Sequence, residues 1–105
     1  MTYETALTAL ADPSRRRIFE TLRDRPRTVS DIAQRQPISR PAVSQHLKAL
    51  QEAGLVVARP QGTARYYRIR REGLAELRAY LDGFWDDVLA AYAQEVSKTL
   101  GEENG

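Results

Sequence analysis

Cysteine is absent from the 105 residues, and histidine occurs once, at His46. Without a thiol there is no disulfide, no redox switch and no thiolate metal centre. One histidine, no cysteine and no glycine-rich phosphate loop leave no nucleophile–base pair to assemble, so an enzyme is not expected. There is no run of 18 apolar residues, which excludes an ordinary membrane-spanning helix. The opening Met1-Thr2-Tyr3-Glu4 lacks the basic start and apolar stretch of a secretory signal, and a cytoplasmic location is expected. Repeats and low-complexity linkers are also missing.

What is present reads as one small globular unit. Hydrophobic residues make up 42% and charged residues 29%, ordinary values for a soluble domain. A core of this size is marginal, and burying more surface in a dimer would help. The formal net charge of +2 conceals a strong segregation. Residues 1–34 carry six basic and five acidic side chains; residues 35–71 carry eight basic ones against Glu52 alone; residues 72–105 carry two basic and eight acidic. A basic middle suggests a polyanionic partner, with a solvated basic face as the alternative.

Apolar spacing at Tyr3, Ala6, Leu7 and Leu10 predicts a first short helix. Asp12-Pro13 reads as an N-cap followed by proline at the first helical position, opening a second helix to about Arg23 with Ile18, Phe19 and Leu22 inward. Arg15, Arg16 and Arg17 are expected mostly to face water, with Asp24–Arg27 as a loop. Thr28-Val29-Ser30-Asp31 resembles a capping box and starts a short third helix, which Gln36-Pro37 stops. Ser39 caps a fourth helix, with Pro41 tolerated in its first turn and Ile38 and Val43 placed as a hydrophobic staple. Val43, Leu47 and Leu50 form its buried stripe, and Gly54 ends it in a left-handed cap. Leu55–Arg59 and Ala64–Arg70 are rich in β-formers around the turn Pro60-Gln61-Gly62-Thr63, which predicts a hairpin with one of Tyr66 and Tyr67 in the core. A last helix from about Glu72 to Leu100 carries Leu74, Leu77, Leu81, Phe84, Trp85, Val88, Leu89, Tyr92 and Val96 as an apolar stripe. The expected fold class is mainly α with a small β-hairpin, residues 1–100 forming one unit and 101–105 a disordered tail.

Two short helices joined by a tight connection and followed by a hairpin have the order of a winged helix-turn-helix, in which the second helix of the pair enters the major groove of DNA. The side of the fourth helix opposite Val43, Leu47 and Leu50 presents Arg40, Pro41, Ser44, Gln45 and Lys48 to base edges and phosphates. Ser39 lies at its N-terminus, where phosphate is attracted, and His46 suits a phosphate or an intramolecular hydrogen bond. Gly62 lets the wing turn, and Arg59 and Arg65 flank its tip, within reach of a minor groove.

Ala9-Leu10-Ala11-Asp12-Pro13-Ser14-Arg15-Arg16-Arg17-Ile18 resembles the opening signature of the ArsR/SmtB family of repressors. Residues Ser39 to Leu50, followed by Glu52-Ala53-Gly54-Leu55-Val56, resemble that family's recognition helix and the start of its wing, and Gln61-Gly62 through Tyr67 resembles the wing itself. The resemblance covers roughly residues 3–100. It implies a homodimer built on the first and last helices, with Tyr3, Leu7, Leu10, Leu77, Leu81, Phe84, Trp85, Val88 and Tyr92 at the interface. It also implies repression by binding an inverted-repeat operator in double-stranded DNA, relieved by a signal.

The sequence departs from the family's metal sensors. One type places cysteines in the first helix of the helix-turn-helix, where Val29-Ser30-Asp31-Ile32 has none; another pairs Asp and His ligands on the last helix, which here has Asp82, Asp86 and Asp87 but no histidine. Carboxylates alone are poor ligands for zinc-like ions. No metal and no other cofactor is expected, and an unknown small-molecule or protein effector remains open. The alternatives are a repressor gated by a metal or small molecule at an atypical site, with Phe84, Trp85 and Tyr92 lining a ligand cavity, and a winged helix that serves as a protein-interaction module.

Overall fold

The computed structural model describes residues 2–104, in the order α1 (Tyr3–Ala11), α2 (Pro13–Glu20), α3 (Val29–Arg35), α4 (Arg40–Glu52), β1 (Val56–Gln61), β2 (Ala64–Ile69) and α5 (Arg71–Asn104). This is the expected class: helices with one antiparallel hairpin. Four helices open on an oxygen-bearing side chain that accepts an otherwise unpaired backbone N–H: Thr2 from Thr5, Asp12 from Arg15, Thr28 from Asp31 and Ser39 from Ala42. Their spacing cuts the first half of the chain into short helices that pack against one another.

The stop signals work as well. At the end of α4, Gly54 takes φ 75°, the Leu55 N–H donates to the Leu50 carbonyl at 3.0 Å and the Gly54 N–H to Gln51 at 2.9 Å. This pair of bonds is a Schellman motif, which satisfies the last carbonyls and reverses the chain into β1. α2 stops at Glu20, three residues short of the expected end. The Thr21 hydroxyl donates back to the Ile18 carbonyl at 2.6 Å, and the Leu22 N–H bonds three residues back to Phe19 at 3.0 Å, so the last turn tightens and ends.

The core gathers Ile18 from α2, Ile32 from α3, Val43, Leu47 and Leu50 from α4, and Leu55 and Val56 at the start of the hairpin, all essentially inaccessible to solvent. Of the hairpin tyrosines, Tyr67 joins this core and Tyr66 stays half-exposed. α1 turns Ala6 and Ala9 inward rather than the full expected stripe, and Leu7 is left exposed. Small side chains let α1 approach the body closely, and that leaves the larger apolar residue outside. The arginines at the start of α2 do not simply face water. Arg15 donates to the Ala9 carbonyl at 3.4 Å and Arg16 to the Leu10 carbonyl at 2.8 Å, capping the open end of α1. Arg16 and Arg17 remain exposed as expected, Arg17 without such a bond, and Arg15 is half-buried.

The segment read as a plain loop contains a buried charge. Arg27 is 5% exposed; its Nε donates to the Thr21 carbonyl at 2.6 Å and its Nη atoms to Asp31 at 2.9 Å and Asp24 at 3.2 Å. Its backbone also pairs with Tyr67 in both directions, at 2.9 and 2.8 Å, adding a one-residue third strand beside β2.

α5 spans 34 residues, about 51 Å of helix. It continues through Gly101 to Asn104, past the expected end at Leu100; Gly105, the last residue of the expected tail, lies outside the described residues. Its first turn is locked to the body: Gly73 is buried against Gly54, so closely that a Cβ there would overlap the Gly54 carbonyl.

The hydrogen bond from Arg27, opposed by partial burial and aided by Arg35, holds the Asp31 carboxyl below the usual carboxylate range. A carboxyl with a lower pKa in the folded chain stabilises fully above the unfolded value, about 4, and loses that contribution as pH falls through the folded value. Asp31→Asn is therefore expected to lower the melting temperature at pH 7. The gap between wild type and variant should close as the pH is taken below about 4, which thermal melts across that range would measure.

Candidate nucleic-acid interface

α4 is amphipathic in the manner its sequence requires. Val43, Leu47 and Leu50 are fully buried, which fixes the rotation of the helix about its axis. That rotation leaves Arg40, Pro41, Ser44, Gln45 and Lys48 together on the exposed side. Ser39 is exposed at the N-terminus, its Oγ accepting the Ala42 N–H at 3.3 Å. None of these side chains is held in an ion pair among the described residues, so their donors are free for a ligand.

His46 does not join this row. At 100° per residue it falls on the far side of α4, where it is half-buried. It sits near Asp12, whose carboxyl is held below the usual range chiefly by the Arg15 backbone N–H at 3.1 Å, against burial, with a smaller contribution from the His46 charge.

The wing is a hairpin in register Arg59↔Tyr66, Pro60↔Arg65 and Gln61↔Ala64, closed by Gly62-Thr63. The strand runs on through Pro60 and Gln61, beyond the Arg59 end that the sequence predicts. Gly62 has φ 64° with open space around it, so glycine is needed there for backbone conformation rather than for room. Arg59 and Arg65 are both exposed near the tip. Directly paired residues share a face and successive residues alternate, so the two arginines occupy opposite faces of the hairpin. Arg65 shares a face with Tyr67 and the core; Arg59 lies on the outer face with Tyr66 and Arg68.

The second surface is apolar. Leu7 on α1 and Leu81, Phe84, Trp85, Val88 and Tyr92 on α5 are 42–67% exposed, as are Leu89 and Leu100, with Val96 at 40%. On α5 these recur every three or four residues along one face. An exposed apolar stripe of this length on a small domain marks an interaction surface. Two residues expected on it belong elsewhere in part: Leu77 is 9% exposed within the single chain and Leu10 is half-buried against the core. Leu77 lies on the one side of the first turns of α5 that the body covers, together with Gly73. Tyr3 is half-buried and stacks on Tyr80, ring centroids 4.0 Å apart and 7° from parallel; Tyr80 was not picked out from the sequence, although it stands three residues beyond Leu77. Among the described residues no three His, Cys, Asp or Glu side chains converge as metal ligands would.

Residues 10–59 match the helix-turn-helix domain family. Over 91 residues the chain is 52% identical to the HTH-type transcriptional regulator Rv2034 of Mycobacterium tuberculosis, covering 87% of this chain and 85% of that protein. Among solved structures, a possible transcriptional regulator for arsenical resistance matches with a TM-score of 0.68 at 46% identity, over 81% of this chain and 93% of that one. A homodimeric winged helix-turn-helix DNA-binding domain from Mycobacterium bovis, described as a possible ArsR-family regulator, matches with a TM-score of 0.65 at 36% identity, over 80% and 78%.

The two kinds of exposed residue should respond differently to substitution. Gln45→Ala is expected to cost about 1–3 kcal/mol against a preferred duplex sequence and little against random duplex. Arg65→Ala should weaken both equally and flatten the salt dependence by about one unit per site. Anisotropy titrations on two duplexes over a salt series separate these outcomes.

Proposed function

Because the chain belongs to the ArsR family of winged helix-turn-helix transcriptional regulators, we propose that it is a repressor that binds an inverted-repeat operator as a homodimer, without a metal ion. The observation that carries this reading is the exposed row Arg40, Pro41, Ser44, Gln45 and Lys48, held outward by a fully buried back face and flanked by an arginine-tipped wing. The row offers flexible polar groups to base edges; Arg40, Lys48 and Arg65 supply charge to phosphates. Occupying an operator with such a dimer blocks access to the same DNA, which is repression. No helix of the described residues is long and apolar enough to cross a membrane, and the reading places the protein in the cytoplasm with the chromosome.

The homodimer uses the apolar stripe of α5 with Leu7 and Tyr3 of α1. Burial of Leu81, Phe84, Trp85, Val88 and Tyr92 against their equivalents would remove the largest exposed apolar surface of the chain. The two α4 helices then read successive major-groove segments, about 34–36 Å apart or a multiple of that. Metal-free action is supported by the lack of cysteine anywhere in the chain and of histidine on α5.

Selection from a random duplex library at physiological salt is expected to enrich an inverted repeat with half-sites about 10 bp apart, or a multiple. Failure to enrich any sequence would overturn the reading. Trp85→Glu, which places a charge in the stripe, is expected to give a monomer by light scattering. Its operator affinity should fall about 100-fold or more, because the two half-sites would no longer be linked.

A further inference from the structure

The outer face of the wing is not bare. Arg59, Tyr66 and Arg68 of the hairpin, with Arg25 and Thr28 from the segment around the buried Arg27, line an open groove of about 740 Å³. Three arginines line it. None has a carboxylate within ion-pair distance among the described residues, and the buried Nε of Arg68 has no hydrogen-bond partner. The acid in the lining, Asp31, is already engaged by Arg27 at 2.9 Å and Arg35 at 3.0 Å. The groove is therefore strongly cationic, with hydroxyl groups from Thr28 and Tyr66 as further donors. Charges of one sign left unpaired in one concavity repel one another and are stabilised by an anion of matching spacing.

We propose that this groove is a second DNA contact, holding backbone phosphates that flank the half-site read by α4. The inference rests on the DNA-binding reading above. A hairpin tip at a minor groove has a phosphate backbone on each side. Arg65 shares the face turned toward the helical body, so the groove of Arg25, Arg59 and Arg68, on the opposite face, meets the backbone farther from α4. Duplex DNA is favoured over a small anion because the groove is open and continuous with the wing strand that ends at the tip. Guanidinium groups bind phosphate through planar paired donors, and such contacts position without reading sequence.

The test uses the full chain and two duplexes: the selected inverted repeat alone, and the same repeat extended by about one helical turn, 10 bp, on each side. Wild type is expected to bind the extended duplex more tightly. Arg25→Gln with Arg68→Gln removes four positive charges per dimer. It should lower the slope of log affinity against log salt on the extended duplex by about 3.6 and leave the short duplex unchanged. Arg25→Gln alone, on an exposed loop with no structural bond to lose, should lower it by about half that. Equal loss on both duplexes, or no gain for wild type on extension, would overturn the proposal. Wild-type preference for the repeat over a shuffled duplex, read in the same titrations, reports separately on the underlying function.

Discussion

A single buried arginine ties the two halves of the proposed DNA-binding surface together. A two-stranded hairpin is marginal by itself, and here the wing acquires its third strand from one residue, Arg27, whose peptide group pairs with Tyr67. The side chain of the same residue reaches the turn after α2 through Thr21, the first turn of α3 through Asp31, and the intervening loop through Asp24. Burying a guanidinium is costly unless its donors are matched, and this one has a carbonyl and two carboxylates. The wing is thereby fixed relative to α3, and α3 in turn packs against α4 through Ile32 in the common core. An exposed row on α4 and an arginine on a wing tip can act on one duplex only if this distance is held.

The other end of α4 is set with similar economy. Gly54 reverses the chain, Arg70 returns to it with its backbone N–H on the Leu55 carbonyl at 2.8 Å, and Gly73 packs directly against it. The chain reversal just after α4 and the first turn of α5 are in backbone contact, with no side chain between them to bend. The orientation of the recognition helix is thus transmitted to the helix that carries the apolar stripe. In a dimer joined along that stripe, the same contact would set the spacing between the two recognition helices.

Much of this was legible in the sequence because it is encoded locally. The caps Asp12, Thr28 and Ser39, the stripe Val43–Leu47–Leu50 and the glycines at 54 and 62 each act within a few residues, and the structure has them where the pattern implies. What was not legible depends on partners far along the chain. Arg27 in a Pro-containing charged stretch looks like loop; that it is buried follows from Tyr67, 40 residues later. Arg59 and Arg65 look equivalent beside a turn, and only the strand register separates their faces. His46 reads as one more polar residue of α4, and only the rotation of the helix sets it behind the exposed row, half-buried. Leu77 fits the α5 stripe by spacing, yet the body covers its side of the first turns of that helix.

In the proposed function the exposed row of α4 and the wing form one surface for duplex DNA. The most direct measurement is the change in backbone amide chemical shifts of isotope-labelled protein when the selected inverted-repeat duplex is added. The large changes are expected on both Arg40–Lys48 and the hairpin around Gly62, with the exposed stripe of α5 unaffected. Changes confined to α5, or to one of the two elements with the other silent, would contradict it.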